Sequence, residues 1–398
     1  MFKFIHTSDW HLGQNFYGYD RSEEQRDFLR QLADIVREQQ PDALLVSGDI
    51  FHTAAPSSAA VGMYVEGMLD IHEACPAMTI VVIAGNHDSA SRLQSESPLW
   101  KVAGVTVLGG IARNEEGLAD LDSHIISVKG RGLIAAVPYA HPTSFPLVEA
   151  GSMEVGQRQR AYFDALLKRA QQNSGTLPVV LMAHLAVNNS DFTGHDRNLT
   201  MECVEIDVLG QGYDYAALGH IHRPQNLSHH ARYCGTPIPV SFDEQCPHSV
   251  SLVEIDSHGA VPTVKELSIK NVRPLHTVPA DEPVAFEEAL NMLKERRDIK
   301  DAYIRLNVAV ERYLPHGALE RAGKAVSEQQ GRFCEIKKTA LQAAAVASRQ
   351  MTVEEFNRKQ PVEVADQFFK DTNGRGMTDE EKAMFNYVQQ LVEEENRQ

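Results

Sequence analysis

Five short apolar runs along the chain each end in a cluster of polar residues. Continuous runs that are rich in β-branched side chains and bounded by glycine predict strands buried on both faces. The runs are Phe2–Thr7, Ala43–Ser47, Thr79–Ala84, Val179–Ala183 and Tyr215–Leu218. Each polar cluster therefore follows the carboxyl end of a predicted strand.

Amphipathic stretches separate several of these strands. Residues 21–40, 57–74 and 156–172 each carry an apolar stripe at helical spacing, which predicts helices packed on a core. Alternating strands and helices predict α/β layers with a largely buried sheet. Ligands of such sheets gather beyond the carboxyl ends of the strands, where all five polar clusters fall.

The middle of the chain has a different texture, with strand patterns and few helices. The predicted strand regions are His124–Tyr139, Arg232–Phe242 and Ser249–Ile269, and Asp256–Gly259 is typical of a hairpin turn. We expect these regions to form a second sheet that packs on the first, with helices outside. The expected fold is an α/β two-sheet sandwich flanked by helices, written αββα.

The pattern changes again at about Pro274. Two predicted helices, 284–297 and 317–330, each precede a predicted strand, at 302–310 and 332–337. An alanine-rich linker at 339–347 is followed by short helical stretches at 353–357, 362–369 and 379–394. We expect three parts: a sandwich domain at 1–272, a small α/β capping domain at 273–340, and a linker with C-terminal helices at 341–398.

The net charge of the chain bears on whether its partner is a nucleic acid. The 398 residues are 43% hydrophobic and 23% charged, typical of a globular protein, and the net charge is −16. Alone, that charge argues against a nucleic-acid partner, because phosphate backbones repel acidic surfaces. Carboxylates that bind cations are neutralised, however, and acidic residues can be segregated from a binding face.

The pattern of cysteines and the lengths of the apolar runs indicate where in the cell the protein is located. The five cysteines form no CxxC pair, which fits a reducing cytoplasm better than a disulfide framework or a zinc site. The first residues contain no long apolar segment of a signal peptide, and no run approaches membrane-spanning length without charges. We expect a cytoplasmic protein with no membrane partner.

The polar clusters offer the ligands of a dinuclear metal site. Two divalent cations about 3.5–4 Å apart make a nucleophile from water and neutralise phosphoryl oxygens, so they suit phosphoester hydrolysis. Such a site needs a bridging carboxylate and mixed oxygen and nitrogen donors. The strand ends supply Asp9, His11, Asp49, Asn86, His184, His220 and His222.

The order DxH, GD, GNHD, H and GHxH resembles the signature of the calcineurin-like metallophosphoesterases. The resemblance implies that one metal is bound by Asp9, His11, Asp49 and His222. It implies that the other is bound by Asp49, Asn86, His184 and His220, with Asp49 bridging. His87 is the implied non-ligand histidine that stabilises the transition state or protonates the leaving oxygen. Asp88 either caps the following turn or orients a histidine.

Three longer segments resemble one particular branch of these metallophosphoesterases. His6–Gly13, Gly48–His52 and Tyr233–Glu244 resemble the SbcD nucleases, the bacterial branch of the meiotic-recombination nuclease family. The resemblance implies manganese-dependent 3′-to-5′ exonuclease action on duplex DNA and endonuclease action on hairpins or single strands. Mg²⁺, Fe²⁺ and Zn²⁺ are not excluded by the donor set.

The same resemblance implies partners. These are a homodimer within a heterotetramer and an SMC-like ATPase of the SbcC type. The chain has no GxxxxGK[ST] sequence, so ATP would act through the partner. The C-terminal helices are the candidate docking element, and the alternative is an amphipathic end that packs on its own domain.

Side chains beside the motifs are candidates for contact with DNA. His52 is expected near the substrate phosphate as a second catalytic histidine, and the alternative is a solvated loop histidine. Candidates for binding DNA phosphates are Asn15, Arg21, Arg92 and Arg223.

Two other functions stay open at this level. One is a small-molecule or cyclic-nucleotide phosphodiesterase on the same two metals, although the chain continues well beyond the GHxH motif. A protein phosphatase is disfavoured because His52–Ala54 and Asp88 replace its typical residues. The other is a non-catalytic scaffold, which predicts a lost ligand, and none is missing.

Overall fold

The computed structural model describes residues 1–194, 203–311, 313–340, 361–373 and 375–395. These residues form two compact units, one from residues 1–308 and 315–337 and the other from residues 309–314 and from 338 onward. The separate capping domain expected at 273–340 stays a prediction. The first two residues of the linker expected at 339–347 belong to the strand Arg332–Ala340, and the rest of that linker and the helical stretch expected at 353–357 lie outside the described residues.

The strands are mostly short and buried. In chain order they are β1 (Phe2–Thr7), β2 (Asn15–Phe16), β3 (Tyr19–Asp20), β4 (Ala43–Ser47), β5 (Thr79–Ile83), β6 (Val105–Leu108), β7 (Ile125–Val128), β8 (Gly132–Val137), β9 (Val179–His184), β10 (Ala186–Val187), β11 (Cys203–Val204), β12 (Tyr215–Gly219), β13 (Gln225–Asn226), β14 (Ala231–Tyr233), β15 (Ser249–Ile255), β16 (Thr263–Ser268), β17 (Leu275–Val278), β18 (Tyr303–Val310) and β19 (Arg332–Ala340). All five predicted apolar runs are strands.

Every described α-helix except the one at Val155–Ser174 begins with a serine cap or with acidic residues in its first turn. The Ser57 and Ser89 side chains each accept a hydrogen bond from a first-turn N–H, which satisfies a donor left free at a helix start. The helices are α1 (Ser22–Gln39), α2 (Ser58–Ala74), α3 (Ala90–Val102), α4 (Val155–Ser174), α5 (Phe286–Glu295), α6 (Ala318–Glu328), α7 (Pro361–Asn373) and α8 (Asp379–Glu395). Three short 3-10 helices lie at Asp122–His124, Pro142–Ser144 and Ile206–Leu209.

Two six-stranded sheets form the sandwich. The first has the order β16-β15-β1-β4-β5-β6, and the second has the order β13-β14-β12-β9-β8-β7. Strands β1, β4, β5 and β6 run parallel, as do β8, β9, β12 and β14. The carboxyl ends of the central strands therefore share one edge in each sheet.

Apolar side chains fill three layers of this sandwich. A central cluster joins the facing surfaces of the two sheets, with Phe4 and Leu45 on one side and Val180 and Met182 on the other. The outer face of the first sheet packs against α1, α2 and α3, and that of the second packs against α4. The expected αββα sandwich is confirmed.

The distribution of strands between the sheets differs from the prediction. The hairpin β15–β16, expected in the second sheet, joins the first by antiparallel pairing of Phe2 with Ile255. Strands β9 and β12 lie in the second sheet. The central strands of both sheets are buried on both faces, so the apolar pattern cannot separate the strands of one sheet from those of the other. The region predicted as a strand at 232–242 leaves the sheet after Tyr233, because Pro237 and Pro239 lack a ladder N–H.

A smaller sheet of β17, β18 and β19 follows, and α5 and α6 pack against each other beside it. In the second unit, α7 and α8 contact each other, and Lys382 of α8 lies 3.4 Å from the Asp366 carboxylate of α7. Among the described residues, none of the helices is long and apolar enough to cross a membrane.

Candidate metal centre

The polar clusters of both sheets meet at one edge of the sandwich. The turns after β1, β4 and β5 carry Asp9, His11, Asp49 and Asn86, and the ends of β9 and β12 carry His184, His220 and His222. The sheets touch here: the Ser47 hydroxyl donates to the Ala217 carbonyl at 3.0 Å, and His184 Nδ1 lies 2.8 Å from the Ser47 carbonyl oxygen. The predicted convergence of the seven side chains is therefore observed.

Four of these residues have an unusual backbone. Asp9, His11, Asp49 and His220 have positive φ angles of 54°, 46°, 52° and 102°. L-residues rarely adopt positive φ because of steric strain, which costs about 1–3 kcal/mol each and persists where the surrounding structure enforces it. The strain turns these side chains inward from the strand ends.

One donor cluster consists of Asp9, His11 and His222, whose ligand atoms lie within 4.8 Å of one another. His11 Nε2 and His222 Nε2 are 3.3 Å apart. Two imidazole nitrogens at this distance repel each other through their lone pairs unless a proton or a cation lies between them. The cluster therefore fits a bound cation.

A second donor cluster consists of Asp49, His184 and His220, again with ligand atoms within 4.8 Å. Asn86 joins it, because its Oδ1 lies 3.0 Å from His184 Nε2 and 2.8 Å from His220 Nδ1. Imidazole with carboxylate and amide oxygen is a donor set that first-row divalent metals accept.

Asp49 faces both clusters. Its Oδ2 lies 3.9 Å from His11 Nε2 and 3.4 Å from His184 Nε2. Its Oδ1 accepts a hydrogen bond from the backbone N–H of His87 at 2.8 Å. The Asp49 side chain is only 2% exposed, so the charge of its carboxylate requires compensation inside the protein.

Glycines make room for this arrangement. A Cβ at Gly85 would lie 2.1 Å from Asp49 Oδ1, and one at Gly48 would lie 2.3 Å from His184 Nδ1. Any larger residue at either position would displace a candidate ligand.

Burial sets the protonation of the donors. It raises the pKa of the Asp9 carboxyl and lowers the pKa of His11 well below its usual value, so His11 is a neutral imidazole with a lone pair available for a metal. Burial alone would lower the pKa of His184, but the Asp49 carboxylate raises it to about 9. Without a cation, Asp49 therefore pairs with a proton held on His184.

Two histidines border the donors. The His87 ring lies 4.9 Å from the His11 ring, and the half-buried His52 ring stacks on that of His87 at 5.8 Å. His87 Nδ1 also lies 2.9 Å from the His52 carbonyl oxygen. His52 is thus packed among the site histidines, which disfavours the alternative of a solvated loop residue.

Asp88 joins two motif loops and does not cap the following turn. Its carboxylate accepts hydrogen bonds from the backbone N–H groups of Ile50, Phe51 and Gly85 at 3.1, 2.9 and 2.8 Å. Burial raises the pKa of this carboxyl to about 6. Asp88 thereby fixes the loop of Asp49 against that of Asn86, and neither expected role for it matches these contacts.

Sequence reasoning missed two supporting residues. The Ser8 hydroxyl donates to Asp9 Oδ2, and the Glu244 carboxylate lies 3.2 Å from His222 Nδ1. Both residues fall inside the motif segments that carried the resemblance. The available signal was a hydroxyl beside a ligand and a carboxylate at the end of a glycine- and proline-rich loop.

The four candidate DNA contacts lie in different surroundings. Arg21 is fully buried, and its guanidinium donates to Gln14 Oε1 and the Pro239 carbonyl, so the prediction of a phosphate contact there is wrong. Asn15 is exposed. The side chains of Arg92 and Arg223 are 40% and 42% exposed and form ion pairs with Glu96 and Asp191.

Comparison with known families agrees with this geometry. The family model for calcineurin-like phosphoesterases matches residues 2–224, the span that contains every candidate ligand. The chain belongs to the calcineurin-like phosphoesterase family. The predicted enzyme class, a metallophosphoesterase that hydrolyses phosphodiesters, is confirmed by this family match. The two donor clusters fit a dinuclear metal site.

Similar curated proteins assign the chain to one group within this family. The SbcD component of the nuclease SbcCD from Rhodobacter capsulatus is 33% identical over 307 residues, covering 73% of this chain and 75% of the relative. The SbcD proteins of Escherichia coli K12 and Bacillus subtilis 168 are each 29% identical, covering 78% and 81% of this chain and 79% and 83% of their own. This phosphoesterase therefore also belongs to the SbcD family of nuclease subunits, as its sequence predicted.

Proposed function

We propose that the protein is the nuclease subunit of a DNA-processing complex and hydrolyses DNA phosphodiesters with two Mn²⁺ ions. The observation that carries the proposal is the pair of donor clusters around Asp49, whose carboxylate faces both. Bound cations would lower the pKa of water to give a nucleophile and neutralise the charge on the phosphate. Mn²⁺ suits the mixed carboxylate, amide and imidazole donors.

The ligand assignment follows the two clusters. Asp9, His11 and His222 would hold one ion, and Asn86, His184 and His220 would hold the other, with Asp49 shared. The strained turns and the tight glycines hold these side chains in place before a metal binds, so little reorganisation is needed. Asp88 supports the arrangement by joining the loops of Asp49 and Asn86.

His87 is the proposed general acid. Its Nδ1 lies 2.9 Å from the carbonyl oxygen of His52, so Nδ1–H donates to that oxygen and Nε2 is the ring nitrogen left to exchange a proton with a leaving oxygen. Proton donation to a leaving oxygen contributes about 10²–10⁴-fold to rate. His52, stacked on His87, is placed to contact the same phosphate.

DNA is the proposed substrate because the named relatives are nucleases. The proposed activities are 3′-to-5′ exonuclease action on duplex ends and endonuclease action on hairpins and single strands. Asn15, Arg92 and Arg223 remain the proposed phosphate contacts. We place the protein in the reducing cytoplasm, because its five cysteines form no CxxC pair or other disulfide pattern in the sequence.

The proposed partners are a second copy of this chain and an SMC-like ATPase. The relatives are named as subunits of a complex. Helix α8 exposes Met384, Tyr387 and Val388 by 64%, 59% and 49%. Their i, i+3 and i+4 spacing forms one apolar face of the kind that docks in a groove, so we assign ATPase docking to the C-terminal helices and ATP dependence to the partner.

The test is cleavage of end-labelled linear duplex DNA with Mn²⁺, with and without the partner ATPase, beside bis(p-nitrophenyl) phosphate. We expect DNA cleavage that chelation abolishes. Turnover of the small phosphodiester with no cleavage of any DNA form would instead favour a small-molecule phosphodiesterase.

A His87→Ala variant separates metal binding from proton transfer. It should retain two Mn²⁺ ions per chain, measured by elemental analysis after dialysis, while DNA cleavage falls by about 10²–10⁴-fold. His229→Ala, in an exposed loop, is the matched histidine control and should cleave as the wild type does. Full activity in His87→Ala would remove His87 from the reaction.

A further inference from the structure

The Glu244 carboxylate is buried behind the metal-facing histidine His222. Its side chain is 0% exposed and lies in the loop that follows β14. A buried carboxylate is costly unless hydrogen bonds and a cationic partner compensate its charge. Within the described part of the chain, His222 is the one basic side chain within 4.0 Å of it.

Each oxygen of this carboxylate has a defined partner. Oε1 lies 3.2 Å from His222 Nδ1, and Oε2 accepts the Thr236 hydroxyl proton at 2.6 Å. The backbone N–H of Val240 lies 3.3 Å from both oxygens. These contacts fix the carboxylate in one orientation.

The same loop also holds the backbone of His222. The Thr236 N–H donates to the His222 carbonyl at 3.0 Å. A Cβ at Gly235, whose φ is +74°, would lie 2.5 Å from that carbonyl oxygen, so only glycine permits this approach. The loop thus contacts His222 at its carbonyl and at its ring.

A hydrogen bond at one ring nitrogen determines the state of the other. If Nδ1–H donates to Glu244, the neutral imidazole has its lone pair on Nε2. That nitrogen faces His11 Nε2 at 3.3 Å, within the first donor cluster. Carboxylates placed in this way orient metal-binding histidines and make them more basic.

We propose that Glu244 is a positioning residue that fixes the tautomer and ring orientation of His222 for the ion held with Asp9 and His11. The inference rests on the proposed two-metal function. It gives a role to the end of the Tyr233–Glu244 segment, which supplies no ligand of its own.

The experiment titrates the full chain with Mn²⁺. Isothermal titration calorimetry measures the affinity of each site, and electron paramagnetic resonance measures the signal of the coupled ion pair. Glu244→Ala should weaken one of the two Mn²⁺ sites about 10–100-fold and reduce the coupled signal. Glu244→Gln keeps an acceptor oxygen and should show a loss between those of the wild type and the alanine variant.

Asp243→Asn is the matched control. Asp243 is the adjacent carboxylate in the same loop, but it binds Arg305 at 2.8 Å, outside the donor clusters. We expect wild-type affinity at both sites, whereas a loss equal to that of Glu244→Ala would mean that the loop, and not the carboxylate, matters.

The outcomes are distinguishable. A wild-type chain that binds no Mn²⁺ would reject the proposed function itself. Two sites of unchanged affinity in folded Glu244→Ala, with the wild type binding two ions, would reject only the role of Glu244. If Glu244→Ala does not fold, Glu244→Gln decides, and wild-type affinity at both sites would overturn the proposal.

Discussion

The tight contact between Gly85 and Asp49 gives a sharp test of the site. In Gly85→Ala the added methyl group would lie 2.1 Å from Asp49 Oδ1 and 2.3 Å from the Asp49 backbone nitrogen. Ordinary contacts between heavy atoms are about 3.5 Å or longer. One of the two loops must therefore move by about 1 Å.

A shift of this size acts mainly on function. Overpacking costs about 1–3 kcal/mol of unfolding free energy. A reacting group displaced by about 1 Å can lower the rate about 100-fold, and Asp49 is the carboxylate proposed to be shared by both ions. We therefore expect a folded protein with weakened Mn²⁺ binding and at least about a 100-fold loss of phosphodiester hydrolysis.

The measurements are thermal unfolding by circular dichroism, Mn²⁺ titration, and turnover of bis(p-nitrophenyl) phosphate. Gly110→Ala is the matched control, because a Cβ there would meet nothing within 4 Å. It should keep wild-type metal binding and turnover. If Gly85→Ala binds two ions as tightly as the wild type and turns over normally, the proposed position of Asp49 is wrong.

Three further predictions concern protons, pH and the C-terminal helices. Because Asp49 raises the pKa of His184 to about 9, Mn²⁺ binding at pH 7.5 should release a proton, seen as a binding enthalpy that depends on the buffer; no buffer dependence would contradict this. Burial, helped by the charge of Arg232, lowers the pKa of His6 to about 3. In the unfolded chain His6 takes up a proton below a pKa of about 6.5, whereas in the folded chain it stays neutral at pH 5. The free energy of unfolding therefore falls by about 2 kcal/mol from pH 7 to pH 5. Urea unfolding of His6→Gln should show a correspondingly flatter pH profile, and parallel profiles would refute this. Deleting the residues after Ser348 should abolish ATPase binding in a pull-down while small-substrate turnover persists, and intact binding would reject the docking proposal.

The sequence predicts the strands well and places the candidate ligands at the strand ends, because both depend on local patterns. Asp9, Asp49 and His184 follow apolar runs, and the carboxyl ends of parallel strands meet at one edge. The membership of β15 in the first sheet was not predictable, because it depends on the pairing of Phe2 with Ile255 across almost the whole sandwich domain.

Long-range packing also explains the errors at single residues. Arg21 looked like a surface cation beside a motif, but it is buried, and besides Gln14 its guanidinium donates to the carbonyl of Pro239, far along the chain. Glu244 reaches His222 only through the return of its loop. In both cases the decisive neighbour is set by the tertiary fold and not by spacing in the sequence.

The distribution of donors between the two sheets has a mechanical consequence. Asp9 and His11 follow a strand of one layer and His222 follows a strand of the other, and Asp49 and His184 are divided in the same way. Each ion would then link a strand of one sheet to a strand of the other. Because a ligand that binds only the folded state stabilises it, removal of the ions with a chelator should lower the stability of the sandwich.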